Sequence, residues 1–142
     1  MPTLAWFFGG RWFSNLFITA DDMLEFCKRL KLRMCYDTSH AWLACADTGE
    51  DYLEFTRKVA PLTTHLQLSD AKGVKQKEGF QIHRGEIPFD KTFEILEKHL
   101  PENGKNITWV TEIWQGHLND YAEFKVALRE LARYEFLKPV RE

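Results

Sequence analysis

Leu32-Arg33-Met34-Cys35-Tyr36 runs directly into Asp37-Thr38-Ser39-His40, and this order, an apolar run before a polar cluster, decides the fold. The first part is short and rich in apolar or aromatic side chains, which reads as a strand, and the polar cluster reads as the loop that ends it. Upstream, residues 19–32 place Asp21 and Asp22 ahead of Met23, Leu24, Phe26, Cys27 and Leu30, the spacing of one helical face behind an acidic start. Downstream, residues 51–60 carry Tyr52, Leu53, Phe55 and Val59 at helical spacing until Pro61, which cannot continue a helix.

The plan then recurs. Residues 64–68 read as a second strand that stops at Ser69-Asp70, followed by a long loop through Gly73, Lys75, Lys77, Glu78, Gly79 and Gly85. Residues 90–100 carry Phe93, Ile95, Leu96 and Leu100 as a third helix, ended by the breakers Pro101, Asn103 and Gly104. Ile107-Thr108-Trp109-Val110-Thr111 is a third strand that reaches Glu112 before a loop, and residues 121–137 close the chain as a long amphipathic helix. Four helices alternating with three strands predict parallel strands joined by helical crossovers, an α/β fold with apolar cover on both faces of the sheet. No linker or low-complexity tract divides residues 1–142, so one domain is expected.

An open three-stranded sheet leaves two edges unpaired, and the apolar opening Leu4-Ala5-Trp6-Phe7-Phe8 with Trp12-Phe13 has little to pack against. The chain therefore reads as part of a larger fold, associating as a homo-oligomer or with a companion chain.

Composition narrows the function. With 142 residues, 44% hydrophobic and 28% charged, the chain fits one ordinary globular domain. Nineteen basic against twenty-one acidic side chains give a net charge of −2, which offers no field for a nucleic-acid backbone. Three cysteines without C-x-x-C spacing suggest neither a disulfide framework nor a zinc ribbon, and point to a cytoplasmic setting. No apolar run approaches the roughly 20 residues of a membrane span, and the start Met1-Pro2-Thr3-Leu4 lacks the layout of a secretory signal. Serine-hydrolase and zincin motifs are absent from the sequence.

Each strand finishes on an acid: Asp37, Asp70 and Glu112. In parallel α/β folds the carboxyl ends of the strands share one rim, where ligands bind, so these three acids are expected around a single pocket. His40 stands three residues after Asp37, within reach of the same rim, and His117 comes five after Glu112. Carboxylates and neutral imidazoles suit a divalent metal such as Mn²⁺, Mg²⁺, Co²⁺ or Zn²⁺, which would offset repulsion among converging acids. His83 and Arg84, in the loop Ile82-His83-Arg84-Gly85-Glu86-Ile87-Pro88, are candidates to touch an anionic substrate.

Cys35-Tyr36-Asp37-Thr38-Ser39-His40, His65-Leu66-Gln67-Leu68-Ser69-Asp70-Ala71-Lys72-Gly73, the loop 82–89 and Thr111-Glu112-Ile113-Trp114-Gln115-Gly116-His117 resemble, in order and spacing, the xylose-isomerase-like TIM barrels. That group includes sugar phosphate isomerases and epimerases and the endonuclease IV enzymes. The ending E-I-W-Q-G-H is similar to isomerase-like modules found alone or fused to sialic-acid-synthase-type enzymes. The resemblance implies a partial (β/α)8 TIM barrel made of the last three strands and their four helices. It implies metal ligation by Asp37 and Glu112, with Gln67 where the family often places a metal-binding His, and a further Glu ligand on a strand upstream of Met1. It also implies that His40 meets substrate, with His83, Arg84 and His117 as further substrate contacts, and that Glu112 acts as catalytic acid and base on a sugar or sugar phosphate. The expected activity is isomerase or epimerase chemistry; the alternative is an inactive remnant or interaction module. Lys77-Glu78-Gly79 stands where the endonucleases carry a D-x-H pair, which disfavours the nuclease.

Overall fold

A computed structural model describes residues 19–73, 78–104 and 107–138, together with the backbone of residues 6–8 and 11–13. The expectations about the opening aromatic side chains and about Lys75 and Lys77 lie outside the described residues. The sheet that matters is parallel, with strand order β3-β4-β5: β3 is Met34–Asp37, β4 is Thr63–Leu68 and β5 is Thr108–Thr111. Two short strands not foreseen from sequence, β1 (Trp6–Phe8) and β2 (Arg11–Phe13), form a separate antiparallel pair.

Five α-helices accompany the strands among the described residues, one more than expected: α1 (Ala20–Leu30), α2 (Thr38–Thr48), α3 (Tyr52–Val59), α4 (Phe89–His99) and α5 (Leu118–Leu131). Thr19 caps α1 by accepting from the Asp22 amide, and Asp51 caps α3 by accepting from the Glu54 amide at 2.7 Å. Pro61 falls in a 3₁₀ turn, Ala60–Leu62, that separates α3 from β4.

The additional helix is α2. Thr38-Ser39-His40, read as a loop, is its first turn, and Asp37 is its N-cap rather than the start of a loop. Its buried residues Thr38, Ser39, Ala41, Leu43, Ala44 and Cys45 wrap around the helix instead of forming one stripe, so the usual amphipathic signal is absent. The last helix also differs from expectation. It starts at Leu118, passes through left-handed backbone at Asn119, Asp120 and Tyr121, ends at Leu131, and is succeeded by a separate 3₁₀ turn, Glu135–Leu137.

The register fixes which side chains share a face. Asp37 lies opposite Gln67, which lies opposite Val110; Cys35 lies opposite His65, which lies opposite Thr108. The intervening Tyr36, Leu66 and Leu68 are buried with Phe55, Val59, Phe93 and Leu96 of α3 and α4. Burying a Leu or Phe of this kind contributes about 1.5–3 kcal/mol. Tyr36 is also tied to α3 by a 2.7 Å hydrogen bond between its hydroxyl and Thr56 Oγ1.

The expectation of apolar cover on both faces is corrected. His65 and Gln67 are half-buried, while Thr108 and Val110 are exposed, so the second face is polar and open. The physical reason is that the three-stranded sheet does not close on itself among the described residues. No described helix is long and apolar enough to cross a membrane.

Candidate functional site

The open face leads up to the carboxyl ends of the strands, where β3 hands over to α2. Asp37 does two tasks there. Its Oδ1 accepts from Ser39 Oγ at 2.9 Å and from the His40 amide at 3.1 Å, which caps α2. Its Oδ2 is buried and makes no hydrogen bond, lying 3.4 Å from His40 Nδ1, which is likewise buried without one. Buried polar atoms are nearly always satisfied in native proteins, so such a group asks for an explanation. Gln67, next to Asp37 in the register, also buries an unpartnered Oε1.

Glu112 comes directly after β5, and its amide donates to Leu68 O at 3.1 Å, which holds the chain beside β4 for one further residue. Its carboxyl is pushed above the ordinary carboxylate range, first by the loss of water around it and then by the Asp37 carboxylate. Asp37 and Glu112 are thus electrostatic neighbours, as expected from sequence.

Glu78 was not anticipated. It sits in the loop after β4 and reaches His40, with Glu78 Oε2 to His40 Nε2 at 2.8 Å. Desolvation pulls the His40 imidazole down, but the hydrogen bond it donates to Glu78 and the charges of Asp37, Glu78 and Glu112 outweigh it and hold it above its ordinary value. The bond to His40 in turn lowers the Glu78 carboxyl, against its own desolvation. Sequence offered no sign of this pair, because the two residues are far apart in the chain with no motif between them.

Asp70 corrects the expectation of three convergent acids. It is fully buried, and both its oxygens are taken by backbone: Oδ1 accepts from Ala71 at 2.8 Å and Ile87 at 3.1 Å, and Oδ2 accepts from Gly85 at 2.8 Å. Its role is to fold the loop 71–87 back on the strand end. Gly85 is required by that approach, since a Cβ there would lie 2.3 Å from both Ala71 O and Asp70 Oδ1.

The remaining candidates make no hydrogen bond or ion pair with the rim group among the described residues. His83 packs edge-on against Phe89 at 5.4 Å and lies 3.3 Å from the Tyr134 hydroxyl, which donates to Asp90. Arg84 is exposed in the same turn, and His117 is exposed at the start of α5. No hydrogen bond or ion pair among the described residues joins Arg84 or His117 to Asp37, His40 or Glu112.

Among the described residues no group of three or more His, Cys, Asp or Glu is placed to hold a metal ion. The rim presents mainly oxygens, Asp37 Oδ2, Gln67 Oε1 and the Glu112 carboxyl, with the His40 Nδ1 nitrogen beside Asp37. Such a set fits a hard cation of the Mg²⁺ or Mn²⁺ type better than zinc, which favours imidazole and thiolate.

No curated protein matches the chain. The sequence profile of the xylose isomerase-like TIM barrel matches residues 8–133, a span that includes all three parallel strands and the rim they carry. A parallel sheet with helical crossovers, open among the described residues, is what a part of such a barrel looks like. The chain belongs to the xylose isomerase-like TIM barrel family.

Proposed function

We propose that the rim formed by Asp37, Gln67 and Glu112 holds a hard divalent cation and serves proton transfer next to the carbonyl of a small sugar, the chemistry of an isomerase or epimerase. The observation that carries this reading is the Asp37–Glu112 neighbourhood, in which Asp37 Oδ2 and the adjacent Gln67 Oε1 are buried without a hydrogen bond, Asp37 Oδ2 having only the ion pair with His40 Nδ1 at 3.4 Å. Two neighbouring carboxylates repel, and a cation between them would relieve the repulsion.

A cation bound there supplies polarisation of neighbouring sugar oxygens. The chain's own groups supply the rest. Glu112, at the end of β5 beside Asp37, is the carboxylate placed to take a proton from carbon and return it. Asp37 is fixed by its cap hydrogen bonds, so its free oxygen keeps one position. His40, held at Nε2 by Glu78 and lying with Nδ1 3.4 Å from Asp37 Oδ2, has a set ring orientation beside the Asp37 carboxylate, and would turn a nitrogen to a substrate hydroxyl on exchanging one of these two contacts.

Calorimetric titration with Mn²⁺ and Mg²⁺ tests the reading, together with deuterium exchange at the carbon beside the carbonyl of candidate sugars. A saturable heat that vanishes in Asp37→Ala and Glu112→Ala is expected. Absence of heat in the wild-type protein overturns it. The result then favours the second reading, a barrel module without catalysis, which Gln67 in place of imidazole and the lack of a cluster of three stronger ligands among the described residues also support.

The open sheet bears on partners. Val110 on the inner face is 44% exposed, and the outer edges of β3 and β5 pair with no described strand. We take a second copy or a companion chain to cover this face, and sedimentation that returns only a monomer would contradict it.

A further inference from the structure

We infer that the pocket between the loops after β4 and β5 binds the ammonium group of an amine-bearing sugar, with Trp114 as the platform. The pocket has a volume of about 530 Å³ and is lined by Glu78, Phe80, Gln81, Ile113, Trp114 and Glu123 around the backbone of Gly79. That size suits a monosaccharide, and the mixture of aromatic and polar lining is usual for small-ligand sites.

The walls are held from both sides. The Trp114 amide donates to Gly79 O at 2.7 Å, and a Cβ on Gly79 would lie 3.1 Å from Trp114 Cβ, so the two loops meet as closely as backbone allows. Gly79 has φ +74, a conformation that L side chains rarely adopt. On the opposite wall, Gln81 Nε2 donates at 2.8 Å to both the carbonyl and Oε2 of Glu123, which fixes that carboxylate. Trp114 is nevertheless 76% exposed, its backbone held against Gly79 and its indole surface uncovered.

Charge decides what the pocket accepts. The described lining holds two carboxylates, Glu78 and Glu123, and neither Lys nor Arg. His40 offsets Glu78 but is not in contact with Glu123 in any described pair. Against the described lining a phosphate meets like charge at Glu78 and Glu123, whereas an ammonium group finds a carboxylate and the negative face of an indole. His83 and Arg84, the candidates for an anionic group, are outside this lining. The sugar body of the ligand rests on the isomerase or epimerase reading of the rim; the ammonium assignment uses neither Asp37 nor Gln67.

The test is calorimetry of the whole chain in metal-free, slightly acidic buffer with three probes: glucosamine, glucose and inorganic phosphate. Glucosamine is expected to bind, glucose more weakly, and phosphate not at all. Trp114→Ala should weaken glucosamine about tenfold, and Glu123→Gln about fivefold. Both variants are expected to fold, because Trp114 is mostly exposed and Gln at 123 keeps an acceptor for Gln81. The inference is overturned if glucosamine gives no heat, if glucose or phosphate binds as tightly, or if neither variant weakens glucosamine. Failure here with Mn²⁺ still binding removes only the ammonium pocket, and glucosamine binding to a protein that gives no heat with Mn²⁺ removes only the cation site.

Discussion

Asp37 and Asp70 both end parallel strands, one on β3 and the other just beyond β4, yet the fold treats them in opposite ways. Asp70 gives both oxygens to three backbone amides and has no capacity left for a ligand. Asp37 gives one oxygen to the first turn of α2 and keeps the other buried without a hydrogen bond. The difference lies in the segment that each strand leads into. After β3 a helix begins at once, and its N-terminus needs a single acceptor here. After β4 the chain makes a long excursion and returns at residues 85–87, bringing amides to both sides of the carboxylate. An acid at a strand end is open to chemistry only when the next segment leaves one of its oxygens alone.

The largest effect should come from removing Asp70. Asp70→Ala leaves three amides without their acceptor and is expected to cost about 3–5 kcal/mol in urea unfolding. Asp70→Asn places an amino group against a backbone N–H and should still cost about 2 kcal/mol. Asp37→Asn, which keeps a capping acceptor, should stay within about 0.5 kcal/mol of wild type while weakening Mn²⁺ binding. Equal stability losses in the two Asn variants would break the contrast.

Gly85→Ala comes next. Its methyl would displace Ala71 O or the Asp70 carboxylate, and about 1–3 kcal/mol of destabilisation is expected. A neutral outcome would mean that the loop does not close tightly on Asp70.

The smallest effect sharpens the β3 side. His40 is raised above its ordinary value of 6.5, so its share of the Glu78 pair is fully present below that pH and is lost as pH rises through the folded value. Glu78 is lowered below 4.5, so its share is present above that pH and is lost as pH falls through its own folded value. Stability from the pair is therefore greatest between these limits. Glu78 is 47% exposed, and after solvent screening the contribution is at most about 1 kcal/mol. Glu78→Gln should flatten the fall in melting temperature above pH 6.5; an unchanged profile would show that His40 is not held there.

The three parallel strands were legible as short apolar runs that stop at polar clusters, and α1, α3 and α4 because their apolar residues keep a helical period. The helix α2 was not, since it is buried on more than one side, and its polar first turn resembles a loop; only Asp37 before an apolar run signalled a cap. In the candidate site, the grouping of Asp37 with Glu112 was legible from their places at strand ends, and that of His40 from its spacing three residues after Asp37. Glu78 was not, because the return of a loop in space leaves no mark on spacing. Asp70 misled for the same reason: the amides that occupy it come from residues 85 and 87, far along the chain.

The central position of β4 gives the site a parity. Its odd-numbered His65 and Gln67 face the open side, and its even-numbered Leu66 and Leu68 face the helices, with neighbours paired on both flanks. Inserting one residue before His65 would exchange those sides across the middle of the sheet, turning a leucine toward Asp37 and an amide toward the hydrocarbon interior. Inserting two would restore the sides and shift only the depth. Changes of chain length inside β4 are thus tolerable in even steps and ruinous in odd ones, whereas the 3₁₀ turn ahead of it can take up an added residue without moving the pairing.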